Sequence, residues 1–91
     1  MVYVGKRYWK YGRMLMSHMA ADTLDELHQM AKSIGVDKRH FQDKEGKPHY
    51  DICKQNKFKA IELGAIEVDD RKTIELYRAI AAKPTNPHAN P

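Results

Sequence analysis

A chain of 91 residues falls within the size of one domain, and a domain this short buries only about 60% of its unfolded surface. With 42% hydrophobic and 31% charged residues it reads neither as a disordered chain nor as a membrane protein, since no apolar run approaches the roughly 18 residues that a span requires. The net charge of +4 is concentrated at one end: residues 1–21 hold Lys6, Arg7, Lys10 and Arg13 and no acid, whereas the rest of the chain is balanced.

Val2-Tyr3-Val4 is β-branched and aromatic and predicts a strand ended by Gly5, followed by a basic loop or hairpin turn over 6–12. Residues 14–20 predict a second strand. Its alternation sets Met14, Met16 and His18 on one face and Leu15, Ser17 and Met19 on the other, as in a central strand covered on both sides. Thr23 and Glu26 form a capping box, Leu24, Leu27, Ala31 and Ile34 recur at helical spacing, and Gly35 supplies the stop. Asp37 to Phe41 predicts one short helical turn, and 43–48 a polar loop. After His49-Tyr50-Asp51 a second helix carries Phe58 and Ile61 inward as far as Gly64. Residues 65–68 predict a third strand, and Asp69 or Asp70 caps a last helix with Ile74, Tyr77 and Ile80 on one face. The fold class expected is α/β, a small three-stranded sheet with about three helices in the order β-β-α-α-β-α. A single domain over 1–83 is followed by a flexible tail over 84–91, and the second and third strands are expected as a parallel pair joined by a helical crossover.

Tyr3, Tyr8, Trp9 and Tyr11 are interleaved with the N-terminal bases, and a second basic enrichment runs from Lys38 to Lys59. If the fold joins these segments, an electropositive surface with ring faces for stacking results. Cys53, the one cysteine, excludes an internal disulfide and the zinc patterns built on several thiolates. Lys6 and Arg7 break the opening apolar run before a signal-peptide core forms, so a cytoplasmic protein is expected, with no membrane partner.

A series of short motifs carries a family resemblance: Val2-Tyr3-Val4, Tyr11-Gly12-Arg13-Met14, Ser17-His18, Ala21-Asp22-Thr23, Glu26-Leu27-His28, Phe41-Gln42, His49-Tyr50-Asp51 and Leu63-Gly64-Ala65. In this order, from about residue 2 to Val68, the chain resembles the small bacterial and phage family catalogued as domain of unknown function 4031. The resemblance implies that Arg13, His18, His28, Gln42, His49, Tyr50 and Asp51 are recurring family features, polar residues of the kind that build sites. It departs from the family pattern where acids usually follow Val-Tyr-Val and this chain has Gly5 and Lys6. It departs again where the helix after His49-Tyr50-Asp51 usually opens with Ser or Thr and this chain has Cys53.

Three functions compete on chemistry. A phosphate-bearing ligand needs a bidentate donor such as Arg13, histidine donors, a lysine such as Lys57 near a helix start, and an aromatic plane such as Tyr50 or Trp9. The expectation drawn is a non-catalytic, homo-oligomeric binder of an anionic nucleotide-like small molecule. It has no cofactor, and its site is drawn from Trp9, Tyr11, Arg13, His18, His28, Gln42, His49, Tyr50, Asp51 and Lys57. A phage-encoded protein that sequesters a signalling nucleotide in the host cytoplasm is one form of it. The alternatives are a nucleic-acid binder that uses the basic aromatic N-terminus, and a metal-dependent phosphoesterase. The latter would draw on His18, Asp22, His28, His49 and Asp51, with Arg13 or Lys57 to neutralise the phosphoryl group.

Overall fold

A computed structural model describes residues 1–43, 47–69, 71–72 and 75–76 of the chain. Residues 2–21 form one long irregular hairpin. Strand β1 (Val2–Gly5) and strand β2 (Trp9–Tyr11) both lie antiparallel to β3 (Met14–Ala21). Val4 pairs with Met19 and Trp9 with Met16, so the four residues 5–8 face only two of β3, and the surplus bulges outward. Gly12, at φ +62°, supplies the left-handed backbone of the turn that closes Tyr11 onto Met14.

Helix α1 (Leu24–Ser33) follows as the sequence predicts: the Thr23 hydroxyl accepts from the Glu26 amide at 3.2 Å, and Gly35 sits at φ +85° beyond the last turn. A 3-10 turn over Lys38–His40 is capped by Asp37. Strand β4 (Tyr50–Cys53) pairs antiparallel with β3, helix α2 (Lys54–Glu62) follows directly, and β5 (Ile66–Val68) pairs parallel with β1. Met16 and Met19 each pair with β4 on one side and with β2 or β1 on the other. The sheet therefore runs β4, β3, then β1 and β2 end to end, then β5 outside β1.

The described elements are thus five strands and two α-helices in one compact α/β domain, where the sequence predicts three strands and three helices. Two strands escape because they are short and interrupted by charge, although Trp9, Tyr11, Tyr50 and Ile52 favour extended backbone: Lys10 makes the first read as part of a basic loop, and Asp51 stands between Tyr50 and Ile52 in β4. The expected parallel pairing of the second and third predicted strands also fails. Residues 66–68 join the sheet beside β1, whose inner edge is taken by β3. Positions 71–72 and 75–76 are helical, and Asp69 accepts from the Lys72 amide at 3.0 Å, as a cap does. Ile74, Tyr77, Ile80 and the tail over 84–91 lie outside the described residues. Among those described, no helix is long and apolar enough to cross a membrane.

Both helices pack on one face of the sheet. Leu27, Ala31 and Ile34 from α1 and Ala60 from α2 meet Val2, Val4, Met19, Ala21, Tyr50 and Ile52. The opposite face has its own small contact, Leu76 against Ala20 and Tyr3. Helix α2 is turned from its expected phase: Phe58 and Ile61 are 49% and 38% exposed, and the buried side chains are Lys57 and Ala60. A lysine is an unlikely core residue on composition, but its butyl stem fills the space while its ammonium pairs with Glu67 at 2.6 Å and lies 4.2 Å from the Tyr8 ring centroid. That ammonium holds the Glu67 carboxyl below its ordinary value.

Because the Lys57 stem already fits an apolar setting, Lys57→Met should leave stability unchanged or raise it, by up to about 4 kcal/mol. Glu67→Gln should lower it, because the amide oxygen can still accept a hydrogen bond but the buried ammonium loses its counter-charge. Denaturant melts of the two variants check the sign of both effects.

Candidate functional site

Pairing register builds the site. In the antiparallel β3–β4 pair His18 stands directly opposite Asp51, so both side chains leave the sheet on the same face, away from the helices. His18 Nδ1 lies 2.9 Å from Asp51 Oδ1. Just before β4, an isolated bridge between Gln42 and His49 brings two more polar side chains to the same carboxylate. Gln42 Nε2 donates to Asp51 Oδ2 at 2.9 Å, and His49 Nε2 lies 3.3 Å from Oδ1. The two imidazoles meet edge to face with centroids 4.8 Å apart, and Trp9 covers the other side of His18 at 4.5 Å.

The protonation pattern follows from who can accept. His49 Nδ1 lies 2.5 Å from the Lys47 carbonyl oxygen, which only accepts, so that nitrogen carries a proton. Burial pulls the His49 imidazole toward its neutral form, but Asp51 and the Lys47 carbonyl outweigh it and raise its pKa above the ordinary 6.5. Burial likewise disfavours the Asp51 anion, yet hydrogen bonds from His18, His49 and Gln42 hold this carboxyl well below the usual carboxylate range. The arrangement is an ionised Asp51 that accepts from three side chains.

Beside this cluster opens a cleft of ≈ 600 Å³. One wall is the β2–β3 hairpin, with Trp9, Tyr11 and Met16, and another is the 3-10 segment, with Arg39 and His40. Gln42 and Asp51 belong to its lining, as do Cys53 and Asn56 at the start of α2. Cys53 is the N-cap of α2 but makes no capping bond through its side chain.

Of the ten site residues expected from sequence, Trp9, Tyr11, His18, Gln42, His49 and Asp51 are brought together here. His28 and Tyr50 stay together but on the helix side of the sheet: the pleat turns Tyr50 into the core, where it is fully buried. There His28 Nδ1 is 2.7 Å from the Tyr50 hydroxyl, with Phe41 against both rings. Burial and Lys38 lower the His28 pKa, which favours the neutral ring in its hydrogen bond with the phenol. Lys57 is committed to Glu67, and Arg13 is exposed at the hairpin tip outside the lining of the cleft. Asp22 is likewise elsewhere, 3.3 Å from the Tyr3 hydroxyl. Sequence reasoning missed Arg39 and His40 as site residues. The basic enrichment starting at Lys38 contains them, but no spacing links that turn to the hairpin.

The family model for the protein of unknown function DUF4031 matches residues 2–80, and the chain belongs to this family. No curated protein and no solved structure matches it.

The paired shifts set a pH window for the contribution of this cluster to stability. Asp51, depressed in the fold, contributes stability above its ordinary 3.8, and this is lost as pH falls through its lower folded value. His49, raised in the fold, contributes stability below its ordinary 6.5, and this is lost as pH rises through its higher folded value. Asp51→Asn should therefore cost most in melting temperature between these two ordinary values, and the His49 ring should titrate at lower pH in the variant. Melting curves against pH and NMR titration of the ring protons check both.

Proposed function

We propose that the cleft binds a phosphate-bearing, nucleotide-like small molecule without turning it over. The observation that supports this most directly is the composition of its two walls. An aromatic side formed by Trp9 and Tyr11 belongs to the same ≈ 600 Å³ cleft as Arg39 and His40. Ring planes accept a base by stacking, and a guanidinium fork matches the oxygens of a phosphate. The volume is that of a small-molecule site, about 300–1,000 Å³. Asp51 repels an anion in isolation, but here His18, His49 and Gln42 surround its carboxylate, and Arg39 and His40 line the same cleft.

Self-association is part of this proposal. The cleft is open to solvent, and a second copy would close it. The outer side of α2 and the residue after it carry Phe58, Ile61 and Leu63, 49%, 38% and 57% exposed. Apolar side chains so placed favour association. Light scattering at micromolar concentration should then give at least twice the 10.6 kDa of one chain, and Phe58→Ser should shift the population toward monomer.

Binding itself is read from the single tryptophan, Trp9, whose emission should change on saturation. In calorimetry with mono-, di- and cyclic nucleotides, Arg39→Lys should weaken binding by about tenfold or more, nearly as much as Arg39→Ala, because lysine keeps the charge and loses the fork. A nucleic acid contacted along its backbone would behave differently. Its affinity would fall by about a thousandfold for six phosphate contacts between about 50 and 200 mM salt, and Arg39→Lys would hardly matter. That result would favour the nucleic-acid reading over the nucleotide site.

A further inference from the structure

We infer that His18, His49 and Asp51 form a binding site for a divalent transition-metal ion of the zinc class, with an open coordination position toward the cleft. This needs only these three side chains and stands apart from the nucleotide reading. Two imidazoles and one carboxylate are a donor set that suits a borderline ion such as Zn²⁺. Their geometry is close to that of a loaded site. Two ligands each about 2.1 Å from a tetrahedral ion stand about 3.4 Å apart. Here Asp51 Oδ1 lies 2.9 Å from His18 Nδ1 and 3.3 Å from His49 Nε2, and the three donor atoms all fall within 4.8 Å of one another. The contacts to Asp51 Oδ1 would open by up to about half an ångström and the wider separation would close to reach the distances of a tetrahedral site.

The surrounding groups orient the donors as they do around bound metals. The Lys47 carbonyl accepts a hydrogen bond from His49 Nδ1 and so turns Nε2 inward, and Gln42 donates to Asp51 Oδ2 and leaves Oδ1 to the cluster. His18 and Asp51 are held by the sheet register and His49 by its bridge to Gln42, so the ligands sit on rigid backbone. Access is open on the cleft side: the side chains of His18 and Asp51 are 39% and 27% exposed. Three protein ligands leave a fourth position for water or an anionic group.

The test is titration of untagged, chelator-treated full-length protein with Zn²⁺ and with Co²⁺, no nucleotide being present. The expected result is one ion per chain, a rise in melting temperature, and the visible absorption bands of four- or five-coordinate Co²⁺. His18→Ala, His49→Ala and Asp51→Asn should each weaken binding at least tenfold, and Gln42→Ala by about ten- to a hundredfold through loss of carboxylate orientation. Should any variant fold poorly, the wild type answers alone: on Zn²⁺ addition the ring resonances of His18 and His49 should shift together while those of His28 stay in place. No uptake, or uptake that moves His28 or His40 and leaves His18 and His49 unchanged, overturns the inference. Nucleotide binding by the chelator-treated protein is measured separately, so either result stands without the other.

Discussion

The pleat of β3 is the constraint on which the rest of the structure depends. Neighbouring residues of a strand point to opposite faces, and along Met14–Ala21 one parity is committed to the core and the other to the site. Ser17, Met19 and Ala21 are buried toward α1 and α2, while Met16 and His18 face the cleft and the carboxylate of Asp51. A slip of one residue would drive His18 among Leu27 and Ile52 and expose Met19. Two neighbours resist that slip from opposite edges, because Met19 is paired with Val4 on one side and with Tyr50 on the other.

The same parity divides the histidines into two roles. On the core side His28, its pKa lowered by burial, shares a hydrogen bond with the Tyr50 hydroxyl, which satisfies a polar group that burial would otherwise penalise. On the cleft side His49 is driven toward its charged form by Asp51. Tyr50 and Asp51 are adjacent in sequence, yet one builds the core and the other the site. Strand β4 is therefore where folding and function meet most closely, and any loosening of its pairing with β3 would disturb both.

How much of this is legible in sequence depends on whether the deciding interaction is local. Helix α1 is legible because its cap, its apolar spacing and its glycine stop all lie within about a dozen residues. The hydroxyl of Thr23 meets the Glu26 amide as the pattern requires. The alternation of β3 is legible for the same reason. The placing of β5 beside β1 is not, since it depends on which edge remains after β3 has taken the other. The phase of α2 is misread because lysine counts as polar, whereas Lys57 is buried through its stem and paired with Glu67 of β5, a partner ten residues away. In the site, the residue types His18, Gln42, His49 and Asp51 are visible, but their convergence comes from two separate pairings, 18 with 51 and 42 with 49. Arg39 joins them only because the turn after α1 folds back over β4.

The charge of the cluster sets what it attracts. Asp51 is its single carboxylate, so a divalent ion with two neutral imidazoles would leave a net charge of +1 and a pull on an anionic group in the cleft. Gly5 bears on that balance. A Cβ added there would lie 3.8 and 3.9 Å from the backbone of His18, an ordinary contact, so the position tolerates a Cβ on the strand next to the site. It follows Val4, which is buried on the core side, and by alternation its side chain would leave on the face of His18 and Asp51. An acid at position 5 would supply a second carboxylate and cancel the residual charge. With glycine there, Asp51 stays the single carboxylate of the cluster, and Arg39 stands on the cleft wall beside it.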